Sequence, residues 1–205
     1  MSSKRTYVSP RREQAAAQTR TLILQRAVDL FAERGYGRVT VADIAAAAGV
    51  SSKTVFASAG SKSDILNEIV DTAVLASGYK QAMQHVLAER TPESVLKAVA
   101  HGTRAGNEGQ FAVHEAIHRA LPSHEDGEAL WERATADYRD ALRATADHLH
   151  TLTPPPTCPV TETADLLWFW FGPNGWRALV VDSGWPWDRA EALLLRTAIA
   201  TLHTP

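Results

Sequence analysis

The chain has 205 residues, of which 45% are hydrophobic and 21% charged, with a net charge of −2; that is enough for one or two domains with a real core. Its single cysteine, Cys158, excludes an internal disulfide and a cysteine-rich zinc site, and a proline-flanked setting marks it as an ordinary thiol. No apolar run approaches the ~20 residues that span a bilayer and the first twenty residues are polar and basic, so the expectation is a cytoplasmic protein with no membrane partner.

Charge is unevenly distributed. Residues 1–62 hold 10 Lys and Arg against 4 Asp and Glu, a balance of +6, whereas residues 63–205 carry −8. A basic first third joined to an acidic remainder points to a polyanion partner for the first part alone.

In chain order, Ser9-Pro10 offers an N-cap with proline at the first helical position, and Ile23, Ala27, Leu30 and Phe31 then recur at helical spacing until Gly35. Four later helices are expected from a capping residue followed three positions on by an acid: Thr40/Asp43, Ser61/Asp64, Ser123/Asp126 and Asp188/Glu191. Thr91-Pro92 opens another helix, which Gly106 to Gly109 should interrupt, and Leu121-Pro122 closes the next. Thr151 to Pro159 holds four prolines and cannot be helical. The expected fold is all-α, with about nine helices and no sheet. No internal repeat or sustained heptad is present, which excludes a solenoid and a long coiled coil.

Residues 39–62, VTVADIAAAAGVSSKTVFASAGSK, follow helix-turn-helix grammar. Thr40 caps a short helix with Val41, Ile44, Ala45 and Ala48 inward, Gly49 permits the tight turn, Val50 returns to the core, and Ser51 caps the second helix. Small residues from Ala45 to Gly49 allow two helices to cross closely, and the second is then free to enter a major groove.

Residues 21–66 resemble the DNA-binding domain of the TetR family of bacterial transcriptional regulators. The resemblance is carried by the run Leu30 to Tyr36, Thr40 with Ile44-Ala45, Gly49-Val50-Ser51, Thr54-Val55-Phe56, and Ser61-Lys62. It implies a helix-turn-helix domain over residues 1–60 and a ligand-binding, dimerising domain over residues 61–205. It also implies DNA contact by Thr40, Thr54, Phe56, Ala57, Ser58 and Lys62, with Lys62 on a phosphate. Ser51, Ser52 and Lys53 stand at the start of the second short helix, where base edges are reached, and Lys53 serves either base or backbone. Arg11 and Arg12, with Lys4 and Arg5 before them, form a basic arm for the minor groove or the backbone. This chain departs from the family pattern at Phe56, Ala57, Ser58 and Ala59, where a tyrosine, a polar group, an aromatic and a phenylalanine are common. Phe56 cannot donate a hydrogen bond to phosphate; it either touches a thymine methyl or sugar, or packs inward.

In the acidic remainder, Leu166 to Phe171 and Ala178 to Val181 are apolar around most of a helix, which demands cover on more than one side. With the last helix they suggest an intermolecular four-helix bundle through Leu167, Phe171, Leu179, Leu194, Leu195, Ile199 and Leu202, a homodimer. Gly172-Pro173 should kink the first of these helices, beside Trp168, Trp170 and Trp176, which either open a pocket or fill core. HEAIH, His114 to His118, has the two-histidine and carboxylate layout of a zinc hydrolase, but it lacks a third ligand in the extended context that would support it. The preferred expectation has no catalytic residue, metal or cofactor. Phe111, His114, His118, Trp131, Tyr138, Trp168 and Trp170 are the candidate effector-binding residues. The resemblance implies a ligand-responsive repressor, released from its operator by a small molecule.

Overall fold

The computed structural model describes residues 10–76 and 79–203, and among them there is no strand. The elements are α1 (Pro10–Arg34), a 3-10 turn (Tyr36–Arg38), α2 (Val41–Ala48), α3 (Ser52–Ala59), α4 (Lys62–Ala76), α5 (Tyr79–Ala88) and α6 (Pro92–Gly109). They continue with α7 (Phe111–Ala120), α8 (Gly127–His150), α9 (Val160–Phe171), the short α10 (Pro173–Arg177), a π-helical turn (Ala178–Asp182) and α11 (Trp187–His203). No helix among the described residues is long and apolar enough to cross a membrane.

Two compact units emerge, one from residues 1–72 and 115–131, the other from 73–114 and 132–205. The first unit thus extends past residue 60, the boundary expected from the sequence, and takes in a later segment. In it α1 packs on both α2 and α3, and Ile23, Ala27, Phe31, Ile44 and Val55 are buried. Two of the expected capping boxes form here. Thr40 accepts from the Asp43 N–H at 3.2 Å while Asp43 accepts from the Thr40 N–H at 2.8 Å, and Ser61 and Asp64 exchange the same pair of bonds at 3.2 and 2.8 Å.

The other two boxes do not form. Ahead of α8 the Asp126 N–H donates to Nδ1 of His124 at 3.2 Å, because the tight turn after Ala120 brings that imidazole to the helix start in place of Ser123. Asp188 and Glu191 instead accept from Arg104 at 2.5 and 2.8 Å, an ion-pair network that ties α11 to α6. Gly106 to Gly109 does not interrupt α6, since Asn107 donates back to the Thr103 carbonyl at 2.7 Å and the helix runs on to Gly109.

The second unit has its core between α6, α8, α9 and α11, centred on Leu96, Leu149, Leu167, Phe171, Trp176 and Leu202. The expected break falls at Gly172, which is extended (φ −69°, ψ 165°), with Pro173 opening α10. A side chain on Gly172 would collide with the Trp168 carbonyl, so the break tolerates only glycine there.

Candidate nucleic-acid interface and effector region

The helix-turn-helix is built from short-range choices. The α2 helix ends at Gly49 in the left-handed region (φ 67°, ψ 29°), where its N–H reaches the Ala45 and Ala46 carbonyls. Ser51 then caps α3, accepting from the Thr54 N–H at 3.1 Å and sharing a hydrogen bond with the Thr54 hydroxyl at 2.9 Å. Val55 and Ala59, one helical turn apart, anchor α3 in the core.

The opposite face of α3 carries Lys53, Phe56 and Ala57, all exposed, with Ser52 and Ser58 half-buried at its margins. Phe56 is 56% exposed, which rules out the inward-packing alternative. Thr40 and Ser51 are exposed and Thr54 half-buried; all three already hold capping bonds. Arg11 is exposed on α1, while the Arg12 side chain, Lys4 and Arg5 lie outside the described residues.

Lys62, expected on a phosphate, makes contacts within the first unit. Its ammonium donates to the Tyr36 carbonyl at 2.9 Å and to the Val39 carbonyl at 3.0 Å, and stands 4.1 Å from the centre of the Tyr36 ring. Partial burial pulls its pKa below the usual lysine value. Tyr36 is buried against Phe31 and His124, with both ring centroids at 5.2 Å, and burial pushes its phenol up. His124 in turn lies 2.9 Å from the Ser63 hydroxyl. Tyr36, Ser63 and His124 were not found from sequence, because only the folded chain brings residues 36, 63 and 124 together.

The candidate effector residues fall in both units. Phe111, His114, Tyr138, Trp168 and Trp170 belong to the second unit, but His118 and Trp131 belong to the first. Trp170 is buried in the core. Tyr138 meets Trp168 edge-on at 5.8 Å, and Arg139 stacks 3.9 Å from the centre of the Trp168 ring. Phe111 meets Trp187 edge-on at 6.1 Å, and Trp187 lies 5.7 Å from Trp176.

A polar group missed from sequence sits among them. The Tyr138 hydroxyl donates to the Phe171 carbonyl, which the break before Pro173 strands because the Gly175 and Trp176 N–H groups both turn to Gly172. Asn107 donates to the same hydroxyl at 3.1 Å. Burial holds the Tyr138 phenol far above its usual pKa. The buried Trp176 indole N–H is close enough to favour the phenolate but lacks the geometry of a hydrogen bond, so it stands without an acceptor.

In the HEAIH stretch, Glu115 is buried with Arg119 Nε 3.5 Å away, and Arg119 donates to the Glu33 carbonyl at 3.3 Å. Among the described residues no three His, Cys, Asp or Glu side chains come together as a metal site. His148 lies 2.9 Å from the Glu89 carbonyl and His150 3.0 Å from the Thr163 hydroxyl, both bonds that hold neighbouring elements.

The proposed interface residues divide by face. Leu167, Phe171, Leu194 and Leu202 are buried in the core of the second unit itself. Leu179, Leu195 and Ile199 keep part of their surface exposed, and Phe169 is 72% exposed on α9.

A sequence profile described as bacterial regulatory proteins, tetR family, matches residues 23–69, the span from α1 into α4 that builds this reading head. A comparison with curated protein sequences finds no match. Among solved structures, the chain is similar to the TetR family transcriptional regulator PfmR from Thermus thermophilus, at 22% identity and a TM-score of 0.62, over 88% of this chain and 94% of that one. It is similar to FadR from Bacillus subtilis, solved with stearoyl-CoA, at 16% identity and a TM-score of 0.69, over 89% and 99% of the two chains. A protein from Saccharomonospora viridis solved with choline gives 20% identity and a TM-score of 0.71, over 92% and 97%. At these identities the structures establish a shared fold.

Proposed function

We propose that the chain is a repressor that binds a palindromic operator as a homodimer in the cytoplasm and leaves it when a small molecule occupies the second unit. The observation that carries the DNA reading is the outward face of α3. Lys53, Phe56 and Ala57 are free of the core, on a helix whose other face is locked by Val55 and Ala59. Such a helix enters the major groove by its N-terminal half, with half-sites ~34 Å apart. Ser51 and Thr54 spend hydrogen-bonding capacity on each other, so Ser52 and Lys53 read bases or phosphate while Phe56 and Ala57 touch sugars or thymine methyls. Thr40 and the N-terminus of α2 face phosphate, and Arg11 extends the basic surface.

Effector response is supported by the aromatic side chains Tyr138, Trp168, Trp176, Trp187 and Phe111 in the second unit, and by the ligands in two similar structures, stearoyl-CoA and choline. By linkage, operator and effector must weaken each other's binding by the same factor. Self-association is assigned to the exposed Phe169 and to the half-buried Leu179, Leu195 and Ile199. The test is a footprint on the DNA upstream of the chain's own gene. A protected pseudo-palindrome that competitor DNA does not erase is expected, and a uniform absence of protection at moderate salt would sink the reading.

A further inference from the structure

We infer that the indole N–H of Trp176 is the polar anchor of a ligand site in the second unit, which takes a neutral aromatic molecule carrying a hydrogen-bond acceptor. The inference rests on the effector reading above and names the chemical class of that effector. Trp176 is 1% exposed, and its Nε1 is a buried donor without an acceptor. An unmet buried donor is destabilising, and a molecule that supplies its acceptor relieves that on binding. The neighbouring polar groups are engaged elsewhere. The Tyr138 hydroxyl donates to the Phe171 carbonyl and accepts from Asn107 at 3.1 Å, and Asn107 also donates to the Thr103 carbonyl at 2.7 Å.

Around this donor the second unit places aromatic surface. The Trp187 ring lies 5.7 Å from Trp176 and meets Phe111 edge-on at 6.1 Å, while Trp168 meets Tyr138 edge-on at 5.8 Å. Phe111 is 39% exposed, and Trp168 and Trp187 are half-buried, so the rings lead from solvent to the buried indole. Trp187 opens α11 directly after the non-helical residues 183–186, so its ring can turn aside without unwinding a helix. Aromatic walls with a few fixed polar groups are the usual make-up of a small-molecule site. The electrostatics select against an ion. Arg139 already stacks on the Trp168 ring and Arg104 is held by Asp188 and Glu191, so a carboxylate would meet one N–H and cations that are engaged. A quaternary ammonium needs ring faces, and the N–H edge of Trp176 is the positive one.

The experiment uses the full chain and two fragments of one shape: 1-indanone, which has a carbonyl, and indane, which lacks it. Benzoate and phenyltrimethylammonium are the anionic and cationic comparators. Of the six tryptophans, the one whose indole N–H resonance vanishes in Trp176→Phe gives the assignment, and contacts with the Trp187 ring give it in wild type alone. We expect 1-indanone to move that resonance downfield and slow its exchange with water, and indane to do neither. The preference for 1-indanone over indane should fall about tenfold in Trp176→Phe. A resonance that 1-indanone leaves unmoved, or a preference unchanged in the variant, overturns the inference. Stronger binding of benzoate or phenyltrimethylammonium than of 1-indanone overturns it too, in favour of an ionic ligand. The wild-type spectrum decides even where Trp176→Phe does not fold. Operator affinity, measured on the duplex that wild type selects from random DNA, separates this inference from the reading beneath it. If saturating 1-indanone takes the indole N–H and leaves that affinity unchanged, the ligand site stands and release by an effector fails.

Discussion

Replacing Tyr138 by Phe removes one oxygen atom and leaves the ring, so no cavity term enters. That oxygen is the partner of the Phe171 carbonyl, which the Gly172 break deprives of a helical donor, and it accepts from Asn107 at 3.1 Å. In the variant a buried carbonyl is stranded and the Asn107 amide keeps only its bond to the Thr103 carbonyl. An orphaned buried polar group costs about 1–3 kcal/mol. Taking about 2 kcal/mol for the two broken bonds together, the melting temperature of the second unit should fall by roughly 6–12 °C. Thermal unfolding followed by near-ultraviolet circular dichroism, which reports the tryptophans of that unit, measures it. Adding Asn107→Leu should cost less on the Tyr138→Phe background than on wild type, since the donor removed there is already half unsatisfied. A Tyr138→Phe variant melting within about 1 °C of wild type would falsify the claim that this hydroxyl caps the break.

Three further outcomes are expected. Phe56→Ala should leave the melting temperature unchanged, because the ring is exposed, and should weaken binding to the selected duplex about tenfold in a mobility-shift titration; equal affinity would mean that Phe56 touches no DNA. Phe169→Glu should shift the monomer–dimer equilibrium toward monomer in sedimentation velocity, and an unchanged dimer would place the interface elsewhere. The Thr40 cap holds the Asp43 carboxyl below its ordinary value of 3.8, through the side-chain and then the backbone hydrogen bond. A depressed folded pKa gives stability that is complete above the unfolded value and is lost as pH falls through the folded one. Asp43→Asn should therefore melt lower than wild type at pH 7 and show a shallower loss of stability toward pH 3; parallel melting curves across that range would count against the cap.

The reading head was legible in the sequence because its determinants are local. A cap, its partner three residues on, a glycine that accepts positive φ, and apolar positions four apart are all decided within one or two helical turns, and α2, Gly49 and α3 lie where those signals place them. The same local grammar failed at Ser123 and at Asp188, where His124 and Arg104 outcompeted the nominal partners. Gly106 and Gly109 read as a break although Asn107 and its neighbours continue the helix.

The rest was a matter of three-dimensional neighbours. In α9 every position from Leu166 to Phe171 is apolar, so periodicity could not tell Leu167 and Phe171, which face the core, from Phe169, which faces out. For Lys62 the sequence determined a cation at the start of α4, and the tertiary structure decided its partners. The Tyr36 and Val39 carbonyls reach it from a turn more than twenty residues away, held there by the packing of α1 against α2 and α3. Short-range hydrogen bonds and helical periodicity are properties of a segment; which face is buried, and which donor meets which acceptor, is set only when segments compete for the same space.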